Sequence, residues 1–464
     1  MSVLYGVGLA IGGERLASDA NLLVGLLFLG LAWDLGRRRA GPIGGLAALA
    51  AVATFPITIH ALGIPAADLG HGLFAGGSLG ALVASRGEDE AGWRRRAAWL
   101  AAGAALTKYL GALVPLALGA AWLSIGRDAE ERASPVGRRL RSAAGFALPA
   151  VVLLAPWCIA DAIVTGNPVA PIGGGLLPTR GLAEGGATVF QGDARGGMPS
   201  VADLVSLGPR LFGGAGEEGT FYPAPAWGLS PLVLLVALPL ARRGGRSLDL
   251  LLGSGVVFAV WFLSYRWERF LVAATFLLAV ALGGAVASAW GRGGVFRLPA
   301  LLAALVSAAA TFGAIDRVGA FTGGGGVLLG RKEPAEFFER AFPYARVVRR
   351  ASPPLDPRAA RVLFVGEMRH FGLEVSRVAP TGFNVHPLVE VLASSPDPES
   401  AREALSRRGF THLLVDPGWI ERSGRAYPSL APIAADPSRF AAFLRSLGEP
   451  VARERGVALY RIAP

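Results

Sequence analysis

Apolar residues run along the first two thirds of this chain in long blocks, each closed by a cluster of arginines. Blocks at 21–35, 42–63 and 66–86 are separated by Arg37, Arg38 and Arg39, by a short turn near 63–65, and by the acidic and basic stretch 88–96. Several approach the roughly 20 residues that a helix needs to cross a bilayer. Basic residues concentrate on the cytoplasmic side of membrane proteins, so 37–39 and 86–96 are expected inside and 63–65 outside. The block 97–124 has arginines beyond both ends and only Thr107, Lys108 and Tyr109 as polar interruptions. One spanning helix has its two ends on opposite sides of the membrane, so the segment reads as a short helical hairpin. Limbs of about a dozen residues rise only ~18 Å each and carry Thr107-Lys108-Tyr109 at their tip. From there 142–160 runs outward into a long Gly- and Pro-rich external loop, 164–225. Blocks 227–240, 248–263, 271–290 and 298–315 then alternate in direction. Every basic cluster falls inside except Tyr265-Arg266-Trp267-Glu268-Arg269. The pattern predicts a mainly α, polytopic bundle of about eight spanning helices plus the hairpin.

Residues 316–464 change character and are expected outside. Amphipathic segments at 334–350, 400–408 and 438–447 alternate with β-type runs at 362–365, 412–415 and 457–462, the signature of a small α/β domain. Ser352-Pro353-Pro354 and Asp416-Pro417-Gly418 read as loop punctuation. The expected division is an external segment 1–19, a multi-pass domain 20–315 and an extracytoplasmic domain 316–464. Residues 1–13 are apolar, have no basic n-region and are too short to span. Either the true chain starts upstream or this segment is a surface helix.

Composition agrees with the membrane reading. The mean hydropathy is +0.47, and 17% of the 464 residues are charged, against roughly a quarter in soluble proteins. An ordinary soluble enzyme, a disordered chain and a disulfide-built module are excluded, and the single Cys158 has no partner for an internal disulfide. The net charge of +11 becomes an orientation signal, with no nucleic acid implied. Among 45 basic residues only Lys108 and Lys332 are lysines.

An ammonium at membrane depth costs about 2.5–3.5 kcal/mol on insertion scales, so Lys108, with Tyr109 beside it, stands out as a substrate-binding candidate. Its plainer reading is a snorkelling lysine or an ion pair with Asp68. Asp68 and His71 lie three apart on one helix face, and His60 closes the preceding helix, so all three are expected at one external edge. They suit acceptor binding, proton transfer or a divalent cation, although no metal-ligand motif is present. Asp68 is equally a helix N-terminal charge favoured by the macrodipole. Arg266, Glu268 and Arg269 suit a phosphate or sugar clamp, or an interfacial anchor with Trp267. Asn167 begins the external loop as part of a lid, or simply as a helix stop. Glu367, His370 and His386 match no zinc spacing and read as solvated loop positions. No phosphate-binding Gly-Lys-Ser/Thr loop or dinucleotide fingerprint occurs, which argues against ATP-driven transport and redox cofactors.

Several stretches resemble the GT-C superfamily of polyprenyl-phosphate-sugar glycosyltransferases, most closely the protein O-mannosyltransferase and aminoarabinose-transferase branch of glycosyltransferase family 39. They are Gly63-Ile64-Pro65-Ala66-Ala67-Asp68-Leu69, Ala102-Gly103-Ala104-Ala105-Leu106-Thr107-Lys108-Tyr109, Ala155-Pro156-Trp157 with Thr165-Gly166-Asn167-Pro168, and the segment 265–270. Their order along nearly the whole chain carries more weight than any one of them. The resemblance implies a hexosyl- or pentosyltransferase of the bacterial inner membrane. It would use a polyprenyl-phosphate-linked sugar donor and an extracytoplasmic glycan, lipid or protein acceptor. It also implies that the lysine of the Thr-Lys hairpin meets the carrier phosphate. Family members open with an extra helix and a first external loop bearing the catalytic aspartate, which this sequence lacks. Asp68 is then the available candidate for the catalytic carboxylate. The alternative is a non-enzymatic membrane protein, such as a lipid-linked sugar transporter or flippase, or an inactive GT-C relative.

Overall fold

The computed structural model describes residues 2–63, 67–85, 90–108, 111, 136–170, 177–183, 200–208, 211, 246–263, 268–298, 301–302, 305–306, 308–309, 312–313, 330–367, 373, 375–424 and 427–462. The chain divides into two compact units, Met1–Trp157 with Ala194–Phe321, and Cys158–Asp193 with Thr322–Pro464.

The first unit is helical. Its elements are α1 (Ser2–Thr54), α2 (Pro56–Gly63), α3 (Ala67–Ala84), α4 (Glu90–Thr107), most of α5 (Val136–Thr165), α6 (Val201–Gly208), α7 (Arg246–Leu263) and α8 (Val272–Arg292). α1 is not one straight rod. Gly13 and Gly41 take positive φ, 66° and 72°, which reverses the helical path. As a result Gly36 lies against the Gly44 carbonyl and Gly45 against the Trp33 carbonyl. Pro42 opens the returning arm, where its missing N–H is no loss. The runs 21–35 and 42–63 therefore lie on the two limbs of a hairpin, with Asp34 bonded to Arg37 and Arg38 (3.1 and 2.6 Å) just before the turn. Asn21 donates to the carbonyls of Ala61 and Leu62 (3.0 and 3.1 Å), satisfying the end of α2.

α8 forms the centre, packed against α1, α3 and α7. Its neighbours approach closely because they present small residues. A Cβ on Gly283 would meet Gly44 and Ala48, and Gly72 and Gly76 receive Val272 and Phe276. Ser78 donates to the Ala97 carbonyl at 2.8 Å and Ser254 to that of Ala274 at 3.2 Å, tying helices together. Among the described residues three helices are long and apolar enough to cross a membrane: Leu16–Thr54, Leu140–Thr165 and Val272–Arg292. α5 exposes Val151, Val152, Trp157 and Ile159, the surface expected of a lipid-facing helix.

In this unit two details differ from the sequence reading. The first limb of the expected 97–124 hairpin is longer, because the arginines at 94–96 are helical and α4 begins at Glu90. Its 18 residues rise about 27 Å. The rest of that hairpin and the block 227–240 lie outside the described residues. The loop 164–225 also contains helix α6, whose Ser200 and Asp203 side chains cap each other (2.7–3.1 Å).

The second unit carries a five-stranded sheet in the order β2-β1-β3-β5-β4. Strands β1 (Arg361–Val365), β2 (Ser376–Val378) and β3 (His412–Val415) are parallel, while β5 (Val457–Arg461) and β4 (Ala452–Glu454) are antiparallel. Both faces are covered, one by Leu363, Val365, Leu413 and Phe443, the other by Tyr344, Val347, Phe364 and Leu459. The segment 334–350 is two helices, α9 (Pro334–Ala341) and α10 (Pro343–Arg349), broken where Pro343 lacks an N–H. The other helices are α11 (Pro387–Ser394), α12 (Pro398–Arg407), α13 (Pro417–Ser423), α14 (Ala431–Ala435) and α15 (Pro437–Ser446). Asp416-Pro417-Gly418 is thus a helix start and not loop punctuation. The Asp416 side chain accepts from the Trp419 N–H at 2.9 Å, and Pro417 sits at the first helical position.

Candidate functional site

α3 and α4 pack together, and their ends bring Asp68 and Lys108 into one ion pair. Asp68 lies in the first turn of α3, where the helix dipole already favours a carboxylate. Lys108 follows the last residue of α4. Thr107 closes that helix by donating to the Ala104 carbonyl at 2.6 Å, and the chain turns so that the Gly111 N–H reaches the Lys108 carbonyl at 2.7 Å. A Cβ at Gly111 would strike the Ala104 backbone, so only glycine fits this turn. The side chains of Lys108 and Asp68 are 14% and 8% exposed, nearly dehydrated for a charged pair.

The ammonium has a second contact. Lys108 Nζ stands 3.8 Å from the centre of the Phe270 ring, a cation–π geometry. Phe270 belongs to a 3-10 turn, Glu268–Leu271, that packs against α2, α3, α7 and α8. Phe270 has no signal in the sequence beyond standing next to the unusual cluster at 265–269. Its ring is aimed by tertiary packing.

His71, one turn after Asp68, is 2% exposed, and its Nδ1 has no hydrogen-bond partner. A buried, unsatisfied ring nitrogen beside an ion pair is uncommon enough to require a reason. The structure therefore brings Asp68, His71, Lys108 and Phe270 together. His60 is half-buried on α2. Of the expected clamp, Glu268 and Arg269 lie in the 3-10 turn, whereas Arg266 and Tyr109 lie outside the described residues. Among the described residues, no three His, Cys, Asp or Glu side chains converge as a metal ion would require.

Asn167 belongs to the second unit and is fully buried. Its Oδ1 accepts from the Val169 N–H and its Nδ2 donates to Thr179 Oγ1, both at 3.0 Å, so the side chain holds the loop after α5 in shape. That loop continues to 181–183, which pairs with the tail. The Ala183 N–H donates to the Phe383 carbonyl at 2.9 Å and the Val385 N–H to the Gly181 carbonyl at 3.1 Å.

The expectation that Glu367 and His386 are solvated is corrected: they are 4% and 2% exposed. His386 Nδ1 accepts from the Leu388 N–H at 3.1 Å, capping α11, and Nε2 donates to the Phe364 carbonyl at 3.0 Å. The Nδ1 bond needs the neutral ring, and burial, outweighing the Phe364 carbonyl that favours the charged form, lowers its pKa to about 4. His370 lies outside the described residues. Glu367 and His386 line a crevice beside Gly366, at the carboxyl end of β1, whose neighbours β2 and β3 lie on opposite sides of it. That is the usual ligand position in an open α/β sheet. Here the space amounts to about 10 Å³, the margin for one water.

No family model and no curated protein matches the sequence. Solved structures do match. The chain is similar to ArnT from Cupriavidus metallidurans in its apo state, with a TM-score of 0.62 and 16% identity over 99% of this chain and 86% of that one. The same enzyme bound to undecaprenyl phosphate gives a TM-score of 0.60 at 14% identity, with the same coverage. The Archaeoglobus fulgidus oligosaccharyltransferase, in complex with Zn and sulfate, gives 0.51 at 14% identity over 92% of this chain and 60% of that one. The chain shares the fold of these solved structures.

Proposed function

We propose that this chain is a membrane glycosyltransferase that takes a sugar from a polyprenyl-phosphate donor and passes it to an extracytoplasmic acceptor hydroxyl. The observation that carries the reading is the dehydrated Asp68–Lys108 pair at the end of α4. The likeness to an enzyme solved with undecaprenyl phosphate supports it. At rest Lys108 is held by a carboxylate. An arriving phosphate offers the ammonium a stronger anionic partner, and the lysine exchanges one for the other. Asp68, released, accepts the proton of the acceptor hydroxyl as that oxygen bonds to the sugar's anomeric carbon. The bond from that carbon to the phosphate oxygen breaks, and polyprenyl phosphate leaves with its charge against Lys108. Binding roles for His60, His71, Tyr109, Arg266, Glu268 and Arg269 belong to this reading, as does acceptor handling by Asn167 and its loop. So do the plasma-membrane location and an extracytoplasmic second unit.

The test uses the purified full chain in lipid nanodiscs, with undecaprenyl phosphate as the binding probe and lipid-phosphate sugars as donors. Lys108→Ala is expected to weaken retention of undecaprenyl phosphate at least tenfold and to abolish transfer. Asp68→Asn is expected to retain the lipid and lose transfer. Transfer at the parental rate in Lys108→Ala removes the phosphate assignment. Flux of the lipid-linked sugar with no transfer at all favours a carrier over an enzyme.

A further inference from the structure

The other end of α4 borders an open space. A cavity of about 620 Å³, within the size range of ligand sites, lies between α1, α3 and α4. Arg95 and Arg96 stand at one side of it and Leu31, Leu35, Trp99 and Leu100 line another. Arg96 and Lys108 are about 18 Å apart along the helix axis, so this is not the candidate catalytic site.

Among the described residues its two arginines are not compensated by a carboxylate. Asp34 lines the cavity, but its two oxygens are bonded to Arg37 and Arg38. Among the described residues neither Arg95 nor Arg96, both exposed, has a carboxylate partner. The Arg96 guanidinium stacks on Trp93 at 4.6 Å, which fixes its direction. One turn further along α4, at i+4 from each arginine, stand Trp99, 57% exposed, and Leu100. The room comes from Gly77 on α3, where a Cβ would stand 3.1 Å from Leu31.

A cationic rim above an apolar wall matches a molecule with an anionic head and a hydrocarbon tail. The rim belongs to the arginine-rich end of the bundle, where basic pockets between helices meet anionic headgroups. We propose that this cavity holds one anionic phospholipid, its phosphate against Arg95 and Arg96 and an acyl chain along Leu31, Leu35, Trp99 and Leu100. A zwitterionic lipid offers less charge to the two guanidinium groups, and inorganic phosphate leaves the apolar wall unused.

Native mass spectrometry of the full chain, after equilibration with equal phosphatidylglycerol and phosphatidylcholine, reads the site directly. The expected result is a phosphatidylglycerol preference of about tenfold or more. That preference vanishes in R95Q/R96Q and persists in R95K/R96K. L100W narrows the apolar wall without touching a charge and should lower phosphatidylglycerol retention with both arginines present. That variant keeps the test decisive where the double glutamine chain fails to fold. K108A should leave the preference intact, which separates this site from the proposed donor site. Four results overturn the proposal: no preference in the parental chain, an unchanged preference in folded R95Q/R96Q, unchanged retention in L100W, or displacement of the lipid by millimolar inorganic phosphate. A second copy of the chain occupying this face, seen as a dimer that R95Q/R96Q dissociates, overturns it as well.

Discussion

Asp68 and Lys108 are nearly dehydrated, so removing either partner exposes the other to the full cost of burial. At an ordinary contact of about 3 Å and an effective dielectric constant of about 20, the attraction is roughly 5 kcal/mol before desolvation is subtracted. Deleting one member of a buried pair typically costs about 3–5 kcal/mol. The two members are not equivalent here. Asp68→Asn leaves the ammonium with the Phe270 ring, and a loss of about 3 kcal/mol is expected. Lys108→Met leaves a carboxylate in the first turn of α3, where the helix dipole offsets up to about 1 kcal/mol, and about 2 kcal/mol is expected. The double variant removes both charges and should lose less than the two singles together, giving a coupling of about 2–3 kcal/mol. Equilibrium unfolding of the four chains in mixed dodecylmaltoside and dodecylsulfate micelles measures this cycle. A coupling below about 0.5 kcal/mol refutes the pair, and a larger loss for Lys108→Met than for Asp68→Asn refutes the dipole assignment. The double variant is also informative chemically, because it should be folded and inactive.

Two further outcomes follow from other parts of the chain. His386 has a folded pKa of about 4 against an ordinary 6.5, so below pH 6.5 the unfolded state takes up a proton that the folded state refuses. Stability is complete above pH 6.5 and falls as pH drops, by about 2 kcal/mol at pH 5 and about 3 kcal/mol at pH 4. Hydrogen exchange of segments 361–367 and 386–394 should rise over that window, and His386→Asn, which still caps α11 but does not titrate, should flatten it. At the helix crossing, a Cβ on Gly283 would lie 2.9 Å from Ala48 Cβ and 3.0 Å from its backbone nitrogen. Gly283→Leu should therefore lower stability by about 1–3 kcal/mol or more, measured by the same micelle unfolding, while Gly291→Leu, with open space around it, should be nearly neutral.

The membrane-type blocks were legible because a bilayer constrains both the length and the polarity of a spanning helix. Where the chain reverses was less so. The reversal near 37–41 depends on Gly41 at positive φ, and nothing local distinguishes it from most of the other 63 glycines. In the second unit the central strands β1, β3 and β5 announced themselves as buried aliphatic runs. The edge strands β2 and β4 have three residues each and include Arg377, Arg453 and Glu454, so pairing and not composition defines them. The Asp68–Lys108 contact was foreseeable, since a lysine within a long apolar block needs an anion and one acidic residue stands at a neighbouring helix end. Phe270 was not, because ring orientation is decided by packing. His386 was misread for a related reason: histidine is polar in isolation, and only the fold supplies the Phe364 carbonyl and Leu388 N–H that let it be buried.

Chemistry in this chain points to the helices and not to the sheet. An open α/β sheet ordinarily binds its ligand beyond the carboxyl ends of its strands, yet there Glu367, His386 and Trp419 leave room for a single water at most. α4, by contrast, is cationic toward both ends, and the two ends differ in a way that fits different tasks. Lys108 is largely dehydrated and already paired, so on the proposed reading a phosphate that binds there displaces Asp68 and frees a carboxylate to act. Arg95 and Arg96 are exposed and, among the described residues, have no carboxylate to displace, so an anion bound there would release no base. A site that couples binding to proton transfer needs the first arrangement; a site that only holds a lipid needs the second. On the proposed readings, the same phosphate chemistry serves catalysis at one end of the helix and anchorage at the other.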